Sequence, residues 1–150
     1  MQDDSSATRR PQIFHGGCHC GAVKFQVRVE QFEIIDCNCS ICQKKGFLHL
    51  IVPPEQFELL QGAEALQTYR FNTGVAQHHF CGICGIAPFY RPRSHPQHYD
   101  VNARCLDDEP LEVLLQHFEV QPFDGRHWEQ NIHQLTDQPP VEGHERLRES

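Results

Sequence analysis

Three tight clusters of cysteine are the strongest constraint that this chain of 150 residues carries. They are Cys18-His19-Cys20, Cys37-Asn38-Cys39-Ser40-Ile41-Cys42 and Cys81-Gly82-Ile83-Cys84. Gaps of one or two residues let a backbone deliver several thiolates to one metal ion, whereas cysteines this close rarely reach disulfide geometry. The seven thiols are too many for one tetrahedral zinc ion and one too few for two closed sites. The clusters therefore predict one closed zinc site with four cysteines and one open zinc site with three.

The spacing leaves open which cysteines share a site. Cys18, Cys20, Cys81 and Cys84 could close one tetrahedron and leave Cys37, Cys39 and Cys42 as the open site. Alternatively, Cys39, Cys42, Cys81 and Cys84 could form a zinc ribbon and leave Cys18, Cys20 and Cys37 over. Both groupings use pairs with spacings that zinc sites commonly show.

Composition narrows the class of protein. The formal net charge is -7 and there is no lysine and arginine stripe, so we do not expect a nucleic-acid partner. No apolar run approaches the ~20 residues of a membrane span, and the first residues are polar and acidic, unlike a secretory signal. We therefore expect a cytoplasmic protein in a reducing compartment. The predicted organisation is a disordered lead over residues 1–11, one zinc-binding domain over 12–136 and a flexible tail over 137–150.

The pattern of the folded part is mostly that of strands. Val23, Phe25, Val27 and Val29 alternate with polar residues, as in a strand with one wet face. Turn formers separate the other candidate strands, which are Phe32 to Cys37, Phe47 to Val52, Phe57 to Leu60, Leu66 to Phe71, Gln77 to Phe80, Phe89 to Arg91, Tyr99 to Ala103 and Val113 to Glu119. Helix is expected only at Ser40 to Lys45 and Arg126 to Leu135. The sequence thus predicts an all-β domain of mainly antiparallel strands.

Four segments resemble the glutathione-dependent formaldehyde-activating family: Gly16 to Val23, Asp36 to Lys45, Phe80 to Gly85 and Val101 to Asp107. Within it, the chain looks closest to the centromere protein V branch, through Asp36 to Cys42, Phe89 to Ser94 and Phe123 to Gly125. The resemblance implies a β-tent fold of antiparallel sheets with two zinc ions. It places a structural zinc on Cys18, Cys20, Cys81 and Cys84, and a catalytic zinc on Cys37, Cys39 and Cys42.

The activity implied by the resemblance is a carbon–sulfur lyase reaction, in which the glutathione thiol adds to formaldehyde and gives S-hydroxymethylglutathione. Three thiolate ligands weaken the Lewis acidity of a zinc ion, so we favour delivery of a bound thiolate over activation of the aldehyde oxygen. An anionic thiol such as glutathione would favour a cationic recess. The candidates are Lys44, Lys45, Arg91, Arg93 and Arg104, each of which is otherwise a solvated surface charge.

Histidines and the eighth cysteine complete the candidate residues. His19, His49, His78 and His79 lie near the clusters in sequence, and we interpret them as packing or supporting residues rather than ligands. Cys105 is interpreted as a small buried residue.

Two alternatives to the enzyme remain. One is a zinc-stabilised binding protein of the centromere protein V type, although the chain lacks a long basic extension. The other is a thiol redox protein that uses Cys105, for which no resolving cysteine lies outside the clusters.

Overall fold

The structure, a computed structural model, describes residues 10–71 and 74–127. These residues form strands with a few short helices, which confirms the predicted fold class of mainly antiparallel strands with little helix. The strands are β1 Gln12–Gly17, β2 Lys24–Val29, β3 Glu33–Cys37, β4 Leu48–Val52, β5 Phe57–Gln61, β6 Leu66–Tyr69, β7 His78–Cys81, β8 Phe89–Tyr90, β9 Tyr99–Asn102 and β10 Glu119–Phe123, and the α-helices are α1 Ser40–Lys45 and α2 Leu111–Leu114.

The strands form three sheets. The first has the order β1-β2-β5, the second β10-β3-β4-β9-β8, and the third is the pair β6-β7. Every pairing is antiparallel except that of β10 with β3, which is parallel. The five-stranded sheet positions the second cysteine cluster, because the connection between its strands β3 and β4, which includes α1, carries Cys39 and Cys42.

One apolar core lies beneath the sheets. In β2, Phe25, Val27 and Val29 are buried while Lys24 and Arg28 are exposed, as the alternation predicted. The core also takes residues from the other sheets, including Phe14, Ile34, Leu50, Phe89, Val101 and Leu114. In β4, Leu48, Leu50 and Val52 belong to the core, which leaves His49 and Ile51 on the opposite face of the strand.

Most predicted strands and the first predicted helix are present within one or two residues of the expected ends. The strand β1 was not among the predicted strands, because its last residues, Gly16 and Gly17, are poor strand formers. A Cβ atom at Gly16 would lie 2.3 Å from the carbonyl oxygen of Cys105, so the glycine permits a close approach of two backbones.

The predicted strand over Val113 to Glu119 is wrong. Pro110 caps α2 at its N-terminus, and its carbonyl accepts hydrogen bonds from the amides of Val113 and Leu114. The apolar residues that face the core recur at helical spacing, at Leu111, Leu114, Leu115 and Phe118. The strand, β10, begins only at Glu119.

The second predicted helix, Arg126 to Leu135, lies largely outside the described residues. Its described beginning is part of a 3-10 turn over Gly125–His127. The predicted lead and tail fall on residues 1–9 and 128–150, which are also outside them apart from Arg10 and Pro11. Among the described residues, no helix is long and apolar enough to cross a membrane.

Candidate metal centre

The first thiol group brings together Cys18, Cys20, Cys81 and Cys84, whose sulfurs all lie within 4.8 Å of one another. The Sγ atom of Cys20 is 3.6 Å from that of Cys18 and 3.7 Å from that of Cys81. A tetrahedral zinc ion with Zn–S bonds of ~2.3 Å separates its sulfurs by about 3.8 Å. The four thiols therefore have the spacing of a closed zinc site.

Two turns deliver these thiols. Cys18 and Cys20 follow β1 in a turn that includes Gly21 with φ of 87°, and Cys81 ends β7 before Gly85 with φ of 82°. Backbone amides point at the sulfurs: the amide of Val23 donates to Cys18 at 3.3 Å, and that of Ile83 donates to Cys81 at 3.4 Å. The group therefore ties the β1–β2 turn to the end of β7, which is far away in the chain.

All eight cysteines are free thiols. In the first group, a hydrogen bond from the backbone amide of Ile86 is the main cause that lowers the pKa of Cys84 to about 6. Amide donors of this kind favour thiolates, which is the form that binds a metal ion.

The second thiol group lies at the junction of β3, α1 and β4. Cys37 ends β3, Cys39 is the N-cap of α1, and Cys42 is the buried residue of that helix. Ligand atoms of Cys37, Cys42 and His49 all lie within 4.8 Å of one another. The structure thus separates these cysteines from Cys81 and Cys84 and adds a histidine to them.

Cys39 contacts both other thiols of this group. A hydrogen bond from Cys37, and a further one from Cys42, lower the pKa of Cys39 to about 2. The hydrogen bond with Cys39 raises the pKa of Cys37 to about 12, and the contact with Cys37 raises that of Cys42. Ionisation of one thiol in this group therefore opposes ionisation of its neighbours, and a bound cation would offset that opposition.

His49 connects this thiol group to a buried carboxylate. Its Nε2 atom lies 3.0 Å from Sγ of Cys42, and its Nδ1 atom lies 2.6 Å from Oδ2 of Asp100. Sheet register explains the contact: Asp100 is paired with Ile51, so it is the diagonal neighbour of His49 on the same face. The sequence alone favours a packing or supporting role for His49 rather than ligation, and no local pattern singles out Asp100.

A turn after β10 covers the second group. A Cβ atom at Gly125 would lie 2.3 Å from Sγ of Cys37, so only glycine fits against that thiol. The turn is fixed by Asn38, whose side chain donates to Asp124 at 3.1 Å and accepts from the amide of Arg126 at 3.0 Å. Arg126 also donates to Gln43 of α1 at 2.8 Å.

Aromatic rings and a lysine pack beside His49. Nζ of Lys45 lies 4.9 Å from the ring centre of Phe47 and 4.8 Å from that of Tyr90, and 3.2 Å from Nδ1 of His78. Burial lowers the pKa of Lys45, while the charges of Cys42, Asp100 and Cys39 act in the opposite direction. Of the five predicted cationic residues, Lys45 therefore lies beside the thiol group.

Of the other predicted cationic residues, two are exposed and one contacts an aromatic ring. Lys44 and Arg104 are exposed. Arg91 stacks 4.4 Å from the ring centre of Tyr99 and donates to its hydroxyl at 2.6 Å. Arg93 is half-buried.

A cavity of about 410 Å³ opens beside the second group, and His49 forms part of its wall. Its other lining residues are Glu30, Gln31, Glu33, Ile35, Ile51, Val52, Pro53, Gln56, His95, His98 and Gln121. None of the five predicted cationic residues belongs to this set among the parts of the chain that the structure describes. The cavity is polar, with carboxylates, amides and imidazoles rather than ammonium or guanidinium groups.

The remaining candidate residues lie away from the second group. His19 is exposed, and His79 bonds with the hydroxyl of Thr68 at 3.0 Å. Cys105 is half-buried, and burial is the main cause that raises the pKa of its thiol to about 12. The charges that act on Cys105 include Cys18 and Cys84, so it lies on the side of the first group.

Comparison with known proteins agrees with this architecture. A sequence profile of the family described as "Glutathione-dependent formaldehyde-activating enzyme" matches residues 13–121. A Halomonas elongata protein called "Putative glutathione-dependent formaldehyde-activating enzyme" is 27% identical over 106 residues, which cover 65% of this chain and 68% of that protein.

A solved structure shows the same fold. The crystal structure of a Rhodobacter sphaeroides protein matches with a TM-score of 0.64 and 34% identity, and the match covers 73% of this chain and 99% of the other. Since the profile spans most of the chain and includes all three cysteine clusters, the chain belongs to the glutathione-dependent formaldehyde-activating enzyme family.

Proposed function

We propose that this protein is a zinc-dependent carbon–sulfur lyase that joins a small thiol of the glutathione kind to formaldehyde or a related small aldehyde. The observation that carries the proposal is the second thiol group, which is buried, is separate from the first group and borders a cavity through His49. Membership of the family supports the choice of thiol and aldehyde.

The two thiol groups have different proposed roles. Cys18, Cys20, Cys81 and Cys84 would hold a structural zinc ion, because four sulfurs already complete a tetrahedron. Cys37, Cys39 and Cys42 would hold the catalytic ion, because three thiolates leave one position for exchange. When bound there, zinc supplies the ability to hold an incoming thiol as its thiolate near neutral pH.

The residues around the second group exclude water from it. Cys39 and Cys42 are 6% exposed, and the turn at Gly125 packs directly on Cys37. On another side, the rings of Phe47 and Tyr90 pack edge to face at 5.1 Å between their centres. A thiolate in such a site is less hydrated than in water, and electrostatic interactions there are stronger.

The cavity beside His49 is the proposed binding place of the thiol. Its volume of about 410 Å³ lies within the range of small-ligand sites and suits a compound of tripeptide size. Glu33 can bind an ammonium group, and His98 and Gln56 offer side-chain nitrogens for carboxylates. The lining thus offers a carboxylate for the ammonium group of such a thiol, and imidazole and amide nitrogens, in place of the predicted cationic residues, for its carboxylates.

The reaction involves no change of oxidation state. The sulfur of the thiol attacks the aldehyde carbon, one carbon–sulfur bond forms, and the carbon–oxygen double bond becomes a single bond. The proton of the thiol ends on the new hydroxyl group, so RSH and CH₂O give RSCH₂OH. Cleavage in the lyase direction is the reverse.

Exchange NMR with ¹³C-formaldehyde tests this function, since the adduct also forms without an enzyme. The zinc-loaded protein should accelerate exchange between formaldehyde and its glutathione adduct in proportion to protein concentration. The variant Cys39→Ser should lose the acceleration, and Cys105→Ser, a matched change outside both thiol groups, should keep it. Other small thiols and aldehydes, tested in the same assay, would define the substrate.

An exchange rate that the zinc-loaded protein leaves unchanged would overturn the proposal that the protein is an enzyme. If that result came from protein that carries two zinc ions, the alternative of a zinc-stabilised binding protein would take its place.

A further inference from the structure

His49 lies between the second thiol group and the cavity. Its Nε2 atom faces Cys42 at 3.0 Å, and its ring forms part of the cavity wall. The residue is 5% exposed, in a strand position that alternation would otherwise give to an apolar residue on a covered face. A buried imidazole at such a place needs partners for both of its ring nitrogens.

Asp100 decides which ring nitrogen carries a proton. Its carboxylate is fully buried, and Oδ2 lies 2.6 Å from Nδ1 of His49. A carboxylate accepts hydrogen bonds, so Nδ1 carries the hydrogen and donates it. In the neutral imidazole the lone pair then lies on Nε2, directed at the sulfurs of the second thiol group.

The hydrogen bond with His49 uses only one oxygen of the Asp100 carboxylate. Its Oδ1 atom is buried and has no hydrogen-bond partner among the described residues. A buried carboxylate is costly without a positive charge nearby. Besides the ammonium group of Lys45, positive charge transmitted through the imidazole would offset this cost, as in the carboxylate–histidine–metal arrangement in which a carboxylate orients the ligand and raises its basicity.

We infer that His49 is the fourth ligand of the metal ion at Cys37, Cys39 and Cys42, through Nε2, and that Asp100 is its positioning residue. The site then has three thiolates and one imidazole in the absence of substrate. Tetrahedral zinc requires about 3.6 Å between a sulfur and a nitrogen ligand, so Cys42 and His49 need to separate by about half an ångström. Cys39, whose sulfur lies outside the group in which the ligand atoms of Cys37, Cys42 and His49 are all within 4.8 Å of one another, needs to move toward them.

The inference rests on the proposed function and deepens it. None of the three cysteines belongs to the lining of the cavity in the described structure, whereas His49 does. The imidazole is also the one neutral donor among the four, so it is the ligand that an anionic thiolate replaces most readily. A thiol that enters from the cavity would thus meet the position held by His49.

Cadmium substitution tests the ligand set directly. Untagged protein is loaded with ¹¹³Cd, and proton–cadmium correlation spectra identify the side chains bound to each ion. We expect two cadmium resonances: one correlated only with cysteine protons, and a second correlated with the ring protons of His49. Zinc X-ray absorption should show seven sulfurs and one imidazole nitrogen over the two ions.

Variants supply the controls. His49→Ala should lose the ring correlation and the imidazole scattering, and His78→Ala, a matched change at another buried histidine beside the site, should keep both. If either variant fails to fold, the wild-type cadmium spectrum decides alone.

The outcomes separate the two proposals. A second cadmium resonance correlated with cysteine protons alone would overturn the ligand role of His49 and leave a hydrogen bond to Cys42, while the proposed three-thiolate site would stand. A single cadmium resonance from Cys18, Cys20, Cys81 and Cys84 would overturn both.

Discussion

Nδ1 of His49 lies 2.6 Å from Oδ2 of Asp100, and the two side chains are 6% and 0% exposed. The contact joins β4 to β9 on the face of the sheet that borders the second thiol group. Tyr90 is paired with Asp100 on the neighbouring strand and packs against His49, with ring centres 5.9 Å apart. The dyad is therefore held by the sheet, which gives its geometry little freedom.

The first prediction concerns Asp100→Asn. The amide keeps the shape of the carboxylate but removes its charge, so His49 becomes a weaker donor of electrons. We expect the metal ion of the second site to bind about 10- to 100-fold more weakly, as is typical when the partner of a ligating histidine is changed. The affinity of the first site should be unchanged. Competition with a chromophoric chelator measures both affinities.

Asp107→Asn is the control, because that side chain is exposed and lies outside the site. In a His49→Ala background, Asp100→Asn should have no further effect on the second site, since its effect is transmitted through the imidazole. Equal affinities in wild type and Asp100→Asn would contradict a role for the dyad in metal binding.

The second prediction separates the two thiol groups. Cys81→Ser should reduce the metal content to one ion and cause unfolding or aggregation, because the first group ties distant parts of the chain together. Structural zinc contributes on the order of 10 kcal/mol in small peptides. Cys39→Ser should also remove one ion but leave the fold largely intact. Elemental analysis and thermal unfolding measure the two effects.

The melting temperatures of Cys81→Ser and Cys39→Ser are to be compared with each other, since each variant is expected to hold one metal ion. A Cys81→Ser protein that stays soluble and melts like the wild type would rule out a structural role for the first group. An unchanged metal content in Cys39→Ser would rule out a metal at the second.

The third prediction concerns Gly125→Ala. The new methyl group would lie 2.3 Å from Sγ of Cys37 and 3.0 Å from Cβ of Cys39, so either the turn or the thiols must move. Overpacking of this kind costs about 1–3 kcal/mol. We expect weaker metal binding at the second site and slower adduct exchange, with no change at the first site.

Gly46→Asn is the control for this change. Gly46 ends α1 with φ of 68°, a conformation that asparagine tolerates, and a Cβ atom there meets nothing within 4 Å. It should retain both metal ions. Normal metal affinity in Gly125→Ala would show that the turn does not press on Cys37.

The sequence predicted the strands well where alternation reports burial on one side. β2 is the clearest example, because Phe25, Val27 and Val29 all enter the core. The prediction failed over Val113 to Glu119, where the apolar residues fit the period of a helix as well as that of a strand. Leu114 enters the core from α2 and Phe118 from the extended residue after the following 3-10 turn, and only Pro110 signals the start of the helix.

The candidate site was predictable only in part, because sequence spacing reports local geometry. It indicated the thiols of each cluster, and the family resemblance implied how the clusters combine. His49 and Asp100 are 51 residues apart and meet through the register of β4 and β9, which no local pattern encodes. The one signal was His49, a polar residue in the otherwise apolar strand β4.

The fourth prediction concerns Cys105, on which the redox alternative depends. Burial raises the pKa of its thiol to about 12, so the thiolate forms only as the pH rises toward that value. At pH 8 the thiolate fraction should be roughly a thousandfold lower than for an ordinary exposed cysteine. Iodoacetamide should therefore spare Cys105 in the folded zinc protein and modify it after unfolding, as mass spectrometry of the peptides can show. Rapid modification of the folded protein would favour the redox alternative.

The last prediction concerns the protonation of His78. Burial and the charge of Lys45 lower its pKa from 6.5 to about 3, and Nζ of Lys45 donates to its Nδ1 atom at 3.2 Å. A proton on Nδ1 would break this bond and place two cations together. Because the folded pKa is lowered, the stability that His78 contributes is present above pH 6.5 and is lost as the pH falls toward 3.

Imidazole ¹⁵N spectra should show His78 neutral, with its proton on Nε2, throughout pH 8 to 5. In the variant Lys45→Met the pKa should rise, because one of the two causes is removed. A titration of His78 near pH 6.5 in the wild type would contradict the buried contact between these side chains.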